Sequence, residues 1–194
     1  MEYSSLRYSS NTFITIEGVD GSGKTTVAEL LSADGSFQYY QCPGGPFAEL
    51  RKEIDLHAAP LERYCFYRVA NQSDSKQITH LLTNGPVVCD RYVASTAAYH
   101  IAMDPRIELI HDETGLLKPH FTFLLSVCPE VRDRRLLQRG RVRSDINLEL
   151  NGKLLDRVAA VYMSLSLIHI DTNDKTAEQV AMMIRRIVRK RRQQ

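Results

Sequence analysis

Short runs of apolar or β-branched residues alternate along the chain with longer stretches whose apolar positions recur every three or four residues. The short runs, 12–17, 37–42, 86–90, 121–127 and 167–171, predict strands. Each is apolar without strict alternation, as strands covered on both faces are. The longer stretches predict helices. Val27, Leu30 and Leu31 share one face of 24–32, and a polar-faced helix over 61–83 stops at Asn84-Gly85-Pro86. Leu154, Val158, Val161 and Leu165 form a third stripe, and Ala177, Val180, Ile184, Ile187 and Val188 a fourth. Such alternation predicts a three-layer α/β domain: a central parallel sheet of about five strands flanked by helices. Residues 12–194 read as one domain without repeat or linker. Residues 1–11, polar and rich in Ser and Tyr, read as a disordered N-terminal extension.

Composition narrows the classes. A chain of 194 residues, 43% hydrophobic and 25% charged, matches an ordinary globular domain with room for a real core. A net charge of +2 gives no bulk attraction for nucleic acid, and no apolar run has the length of a membrane span. Cys42, Cys65, Cys89 and Cys128 form no C-x-x-C pair, and no His cluster stands at zinc-ligand spacing. Free thiols in a reducing cytoplasm are therefore expected. The basic run 185–192 contains Ile187 and Val188, which continue the helical stripe. It reads as a solvated helix end whose cations suit the negative pole of the helix dipole.

The sharpest chemistry lies in Gly18-Val19-Asp20-Gly21-Ser22-Gly23-Lys24-Thr25, which satisfies G-x-x-x-x-G-K-[ST]. Glycines let the backbone wrap a phosphate so that successive N–H groups point inward at a helix start. Lys24 then sets a charge against the outer phosphates, and the Thr25 hydroxyl is placed to ligate Mg²⁺. Average residue usage produces this pattern by chance in fewer than roughly one such chain in a hundred. The flanking strand and helix are those that the motif requires. Residues 18–26, Thr26 included, are thus the expected ATP site. Asp112-Glu113-Thr114-Gly115 imitates the D-x-x-G of GTPases, but it follows a helix-like 107–111 and not a strand, and no guanine-reading N-K-x-D is present.

A second signal, Val87-Val88-Cys89-Asp90-Arg91-Tyr92, puts Asp-Arg at the carboxyl end of a buried strand, the end that faces the ligand crevice in parallel sheets. Asp90 is a candidate to hold a Mg²⁺-bound water or orient the attacking oxygen, and Arg91 offers a planar fork for an acceptor phosphate. With Lys24 they form the expected catalytic set, and Thr25 and Asp90 the metal set.

The segments 13–26 and Asp90-Arg91-Tyr92-Val93-Ala94-Ser95-Thr96-Ala97-Ala98-Tyr99 closely resemble the thymidylate kinase family, and the similarity runs from Thr12 through most of the chain. It implies a P-loop kinase fold, ATP as phosphoryl donor with Mg²⁺, a small nucleotide acceptor, and a homodimer. By the same resemblance Asp20 accepts the sugar hydroxyl, Arg91 binds the acceptor phosphate, Thr96 and Tyr99 line sugar and base, and Phe66 or Tyr67 stacks on the base. A lid near 139–147 within an arginine-rich stretch supplies the catalytic cation, with Arg139, Arg141 and Arg143 as candidates, since 19–22 carry no basic residue.

Two departures bear on the acceptor. Where the family often carries T-R-E-P-G-G, this chain reads Tyr40-Gln41-Cys42-Pro43-Gly44-Gly45. At the register of a base-reading arginine stand Val69-Ala70-Asn71-Gln72, with Arg68 and Arg63 the nearby cations, so that either Asn71 or Gln72 reads a different base or Arg68 reaches in from the preceding turn. The readings that stay open are a monophosphate kinase of the thymidylate kinase type, a relative acting on a nucleoside or another small metabolite, and a nucleotide-binding regulator without turnover.

Overall fold

The computed structural model describes residues 11–138 and 152–191. Five parallel strands form one sheet: β1 (Phe13–Glu17), β2 (Gln38–Gln41), β3 (Val87–Asp90), β4 (Phe121–Ser126) and β5 (Ile168–Asp171), in the order β2-β3-β1-β4-β5. Each observed strand lies inside its predicted run. Flanking residues carry the backbone bonding one position further, as where Thr12 and Pro86 accept the Val87 and Gln38 N–H groups at 2.8 Å.

Period-two alternation splits β1 between two cores. Ile14 and Ile16 point to one face, where Val27 and Leu31 of α1 (Lys24–Ser32) meet Val180, Ile184 and Val188 of a C-terminal helix. Phe13 points to the other, onto Ile78 of a long helix, Tyr92 and Leu116. This gives the expected three layers. The long helix, α3 (Pro60–Leu81), begins with Pro60 at its first turn, and the Glu62 carboxylate accepts the Ala59 N–H at 2.8 Å.

Three helices, α2 (Gly45–His57), α4 (Val93–Met103) and α5 (Pro129–Gln138), emerge only in the structure. α2 has no fully buried residue, so no apolar stripe announces it. α4 has the opposite character, with seven of its residues buried, so it lacks the polar face that would mark a helical period. The helix-like stretch expected at 107–111 is a single 3-10 turn, Pro105–Leu109, begun by Asp104 accepting the Arg106 N–H. α5 takes up the first part of the arginine-rich stretch. α6 (Gly152–Ser164) packs Leu154, Val158 and Tyr162 against Ala98 and Ala102 of α4, and α7 (Ala177–Lys190) closes the fold. The predicted N-terminal extension, apart from Asn11, and the predicted lid with Arg139, Arg141 and Arg143 lie outside the described residues. Among the described residues no helix is long and apolar enough to cross a membrane. All four cysteines are free thiols, although the sulfurs of Cys42 and Cys89 lie 3.2 Å apart.

Candidate active site

The loop between β1 and α1 has the backbone of a phosphate cradle. Gly18 and Gly23 hold φ angles of 142° and 93°. A Cβ on Gly18 would collide with the Leu125 carbonyl oxygen and the Ser22 hydroxyl, so only glycine lets the loop lie this close to β4. Gly23 caps α1 in the left-handed region and offers no side-chain cap, leaving the first helical N–H groups for a ligand. Lys24 is buried at the mouth of this loop, its Nζ donating to the Val19 carbonyl at 2.7 Å and lying 3.8 Å from Asp20. Burial, then the Arg91 charge, push its ammonium down to about 8. Thr26 is exposed one position beyond Thr25, and Val19 packs toward the α4–α6 cluster.

Parallel pairing sets Asp90 beside Ile16, so the end of β3 reaches the cradle. The Thr25 hydroxyl donates to Asp90 Oδ2 at 2.6 Å, while Asp90 Oδ1 is buried with no hydrogen-bond partner among the described residues. A hydroxyl and a carboxylate with a spare oxygen suit a hard cation that keeps waters and phosphate oxygens as its other ligands, which is how Mg²⁺ binds. No cluster of three or more His, Cys, Asp or Glu that could cage a metal occurs among the described residues.

Arg91 follows directly, in the left-handed backbone region at φ 67°, a conformation that costs a non-glycine residue energy and turns its side chain back over the cradle. One terminal nitrogen donates to the Gly18 carbonyl at 3.3 Å and to Ser95 Oγ at 3.4 Å. The other pairs with the Asp20 carboxylate. Burial opposes ionisation of Asp20, yet Arg91 and Lys24, with Arg51 behind them, outweigh it and hold the carboxyl below its usual range. The guanidinium carbon sits 5.3 Å from the centre of the Tyr99 ring. The structure thus brings Asp20, Lys24, Thr25, Asp90, Arg91 and Tyr99 together.

Beyond Tyr99, α3 and α4 form a wall. Asn71 Nδ2 donates to Thr96 Oγ1 at 2.9 Å, both residues being buried. Tyr67 lies one turn before Asn71, its ring 5.1 Å from that of His100 and its hydroxyl on the Asp55 carboxylate of α2. Phe66 contacts Phe47 of α2 at 5.5 Å. Arg68 turns to a different neighbour: it donates to the carbonyls of Asp112 and Thr114 at 2.6 and 2.8 Å. Reading a base edge would require it to give up both bonds. The D-x-x-G segment is accordingly a turn clamped by Arg68, in line with its sequence context.

Three neighbours of the site, Glu17, Tyr162 and Arg135, have no role that the sequence assigns. Glu17, the last residue of β1, is fully buried, and its Oε2 accepts the Ser95 hydroxyl at 2.5 Å. Tyr162 of α6 lies 2.8 Å from the same hydroxyl. Arg135 of α5 donates to the carbonyls of Gly21 and Thr172 at 3.4 and 2.6 Å, bracing the cradle from outside.

Comparison with known proteins agrees with this geometry. The family described as thymidylate kinase matches residues 16–184. The chain belongs to the thymidylate kinase family. A thymidylate kinase of Synechococcus sp. is 35% identical over 150 residues, covering 69% of this chain and 72% of that protein. A probable thymidylate kinase of Methanococcus aeolicus is 31% identical over 185 residues, covering 88% and 92%. The solved structure of thymidylate kinase from Candida albicans superposes with a TM-score of 0.76 over 94% of this chain and 93% of that one, at 22% identity, so the three-layer arrangement is the same fold.

Proposed function

We propose that this thymidylate kinase family member transfers the γ-phosphoryl group of ATP to a nucleoside monophosphate. The observation that carries the reading is the contact between Arg91 and Asp20, which joins an arginine at the end of β3 to the phosphate cradle itself. A regulator that only binds nucleotide has no need of a buried guanidinium beside its P-loop. In this reading the 18–26 loop holds the ATP phosphates, Lys24 bears on the transferred group, and Thr25 and Asp90 hold Mg²⁺, which neutralises phosphate charge when bound. Asp20 turns to the acceptor sugar, Arg91 takes the acceptor phosphate, and Thr96, Tyr99 and Phe66 or Tyr67 line sugar and base. A lid arginine from Arg139, Arg141 or Arg143 completes the charge on the transferred group. A cytoplasmic homodimer belongs to the same proposal. Leu50, Leu56, Leu61 and Val69 of α2 and α3 stand about half exposed and offer apolar surface for a second copy.

The acceptor is expected to include dTMP without strong preference for it. Gln41 and Cys42 replace an arginine–glutamate pair, Asn71 is tied to Thr96, and Arg68 is tied to the 112–114 backbone. A charge-assisted hydrogen bond contributes about 1.5–3 kcal/mol, so lacking one costs roughly tenfold or more in discrimination. The check is kcat/KM for dTMP, dUMP, dCMP, dGMP and thymidine under one set of conditions. A value for dTMP a hundredfold above every competitor contradicts this expectation. Loss of that preference in Arg68→Ala would then identify Arg68 as the base reader.

A further inference from the structure

Glu17 is a fully buried carboxylate to which the proposed reaction gives no task. Glu17 ends β1 on the same face as Phe13 and Thr15, toward α4 and α6, and no part of it reaches solvent. Burial raises its carboxyl to about 7 against the opposing pull of Ser95 and Arg91. A group so costly to bury calls for a reason beyond packing.

Its hydrogen bonds supply one. The Ser95 hydroxyl has a single proton and two lone pairs. Three polar groups meet it: Glu17 Oε2 at 2.5 Å, the Tyr162 hydroxyl at 2.8 Å and an Arg91 guanidinium nitrogen at 3.4 Å. When Glu17 is ionised its Oε2 can only accept, so Ser95 gives its proton to Glu17. Both lone pairs then face Tyr162 and Arg91, the two remaining donors. In that orientation all three groups around Ser95 are bonded, while Glu17 Oε1 stays buried with no hydrogen-bond partner among the described residues.

We propose that Glu17 is a positioning residue that, through Ser95, anchors one nitrogen of Arg91 so that the other is free to exchange Asp20 for the acceptor phosphate. The anchored nitrogen is the one also bonded to the Gly18 carbonyl, and the exchangeable one is paired with Asp20. Without the anchor the whole guanidinium can follow the Asp20 carboxylate, and the acceptor phosphate must break a tighter pair. Glu17 touches neither substrate in this account. The proposal rests on the reading of Arg91 as the acceptor-phosphate residue.

The test is steady-state kinetics on the full chain with dTMP and ATP varied in turn, for the wild type, Glu17→Gln, Ser95→Ala and the double variant. Glu17→Gln keeps the shape but removes the charge and lets an amide N–H donate to Ser95. Each single change is expected to raise the dTMP KM about tenfold while the ATP KM stays in place. Because both act along one path, the double variant is expected to be no worse than Ser95→Ala alone. An unchanged dTMP KM in Ser95→Ala overturns the proposal, as does equal weakening of both substrates or an additive double variant. Should Glu17→Gln fail to fold, Ser95→Ala decides alone. Wild-type turnover with variants of unaltered KM removes only this inference. Absence of wild-type turnover on every monophosphate removes the parent reading and this one with it.

Discussion

Replacing Lys24 with alanine is expected to reduce phosphoryl transfer by at least about a hundredfold, the scale on which removing one preorganised charge-stabilising donor acts. Lys24 is the first residue of α1, and its ammonium lies among the Val19 carbonyl, Asp20 and the open N–H groups of the cradle. In the proposed reading that ammonium bears on the outer phosphates of ATP. Alanine is a better helix former than lysine is required to be at this position, so α1 itself should persist. The Val19 carbonyl loses a partner, which costs about 1–3 kcal/mol if water does not replace it. Circular dichroism and a melting curve therefore accompany the assay. A folded Lys24→Ala protein with near-normal turnover would remove the kinase assignment.

Arg91→Lys is expected to separate the two substrates. Lysine retains the charge but loses the fork that bonds Gly18, Ser95 and Asp20 at once. The Tyr99 ring also loses the planar cation above it. The dTMP KM should rise about tenfold to a hundredfold, matching one lost charge-assisted bond, while the ATP KM moves far less. The left-handed backbone at Arg91 costs the same for lysine, so strain does not confuse the comparison. If ATP binding weakens and the dTMP KM holds, Arg91 serves the donor side.

Much of the fold was legible because the parallel sheet buries both faces of its central strands β1 and β3. Ile14, Ile16, Val87 and Val88 are apolar whichever way they point, and the five predicted runs contain the five strands. α2 and α4 were illegible for opposite reasons. One has no fully buried residue and the other is buried through most of its length, so neither shows the half-and-half periodicity by which helices are recognised. The phosphate cradle was readable because its requirements are local: glycines, a lysine and a hydroxyl within one loop. Asp90 and Arg91 were readable from their place at a strand end. The support beneath Arg91 was not, because Glu17, Ser95 and Tyr162 lie 78 and 67 residues apart and meet only once β1, α4 and α6 are packed. The strand pattern of 12–17 does not say which groups Glu17 meets, and only the fold shows it sealed beside Ser95. Arg68 illustrates the converse. Its spacing on α3 permits it to approach a base, whereas the folded 112–114 turn takes both of its strongest bonds.

The central claim is tested most directly by following the phosphoryl group itself. The full chain is incubated with γ-labelled ATP, Mg²⁺ and, in separate reactions, each nucleoside monophosphate and thymidine, and the labelled products are resolved. The account predicts label in a nucleoside diphosphate, formed only with a monophosphate acceptor and lost with Lys24→Ala. Label appearing solely in inorganic phosphate, or in thymidine monophosphate made from thymidine while every monophosphate stays unlabelled, would contradict it.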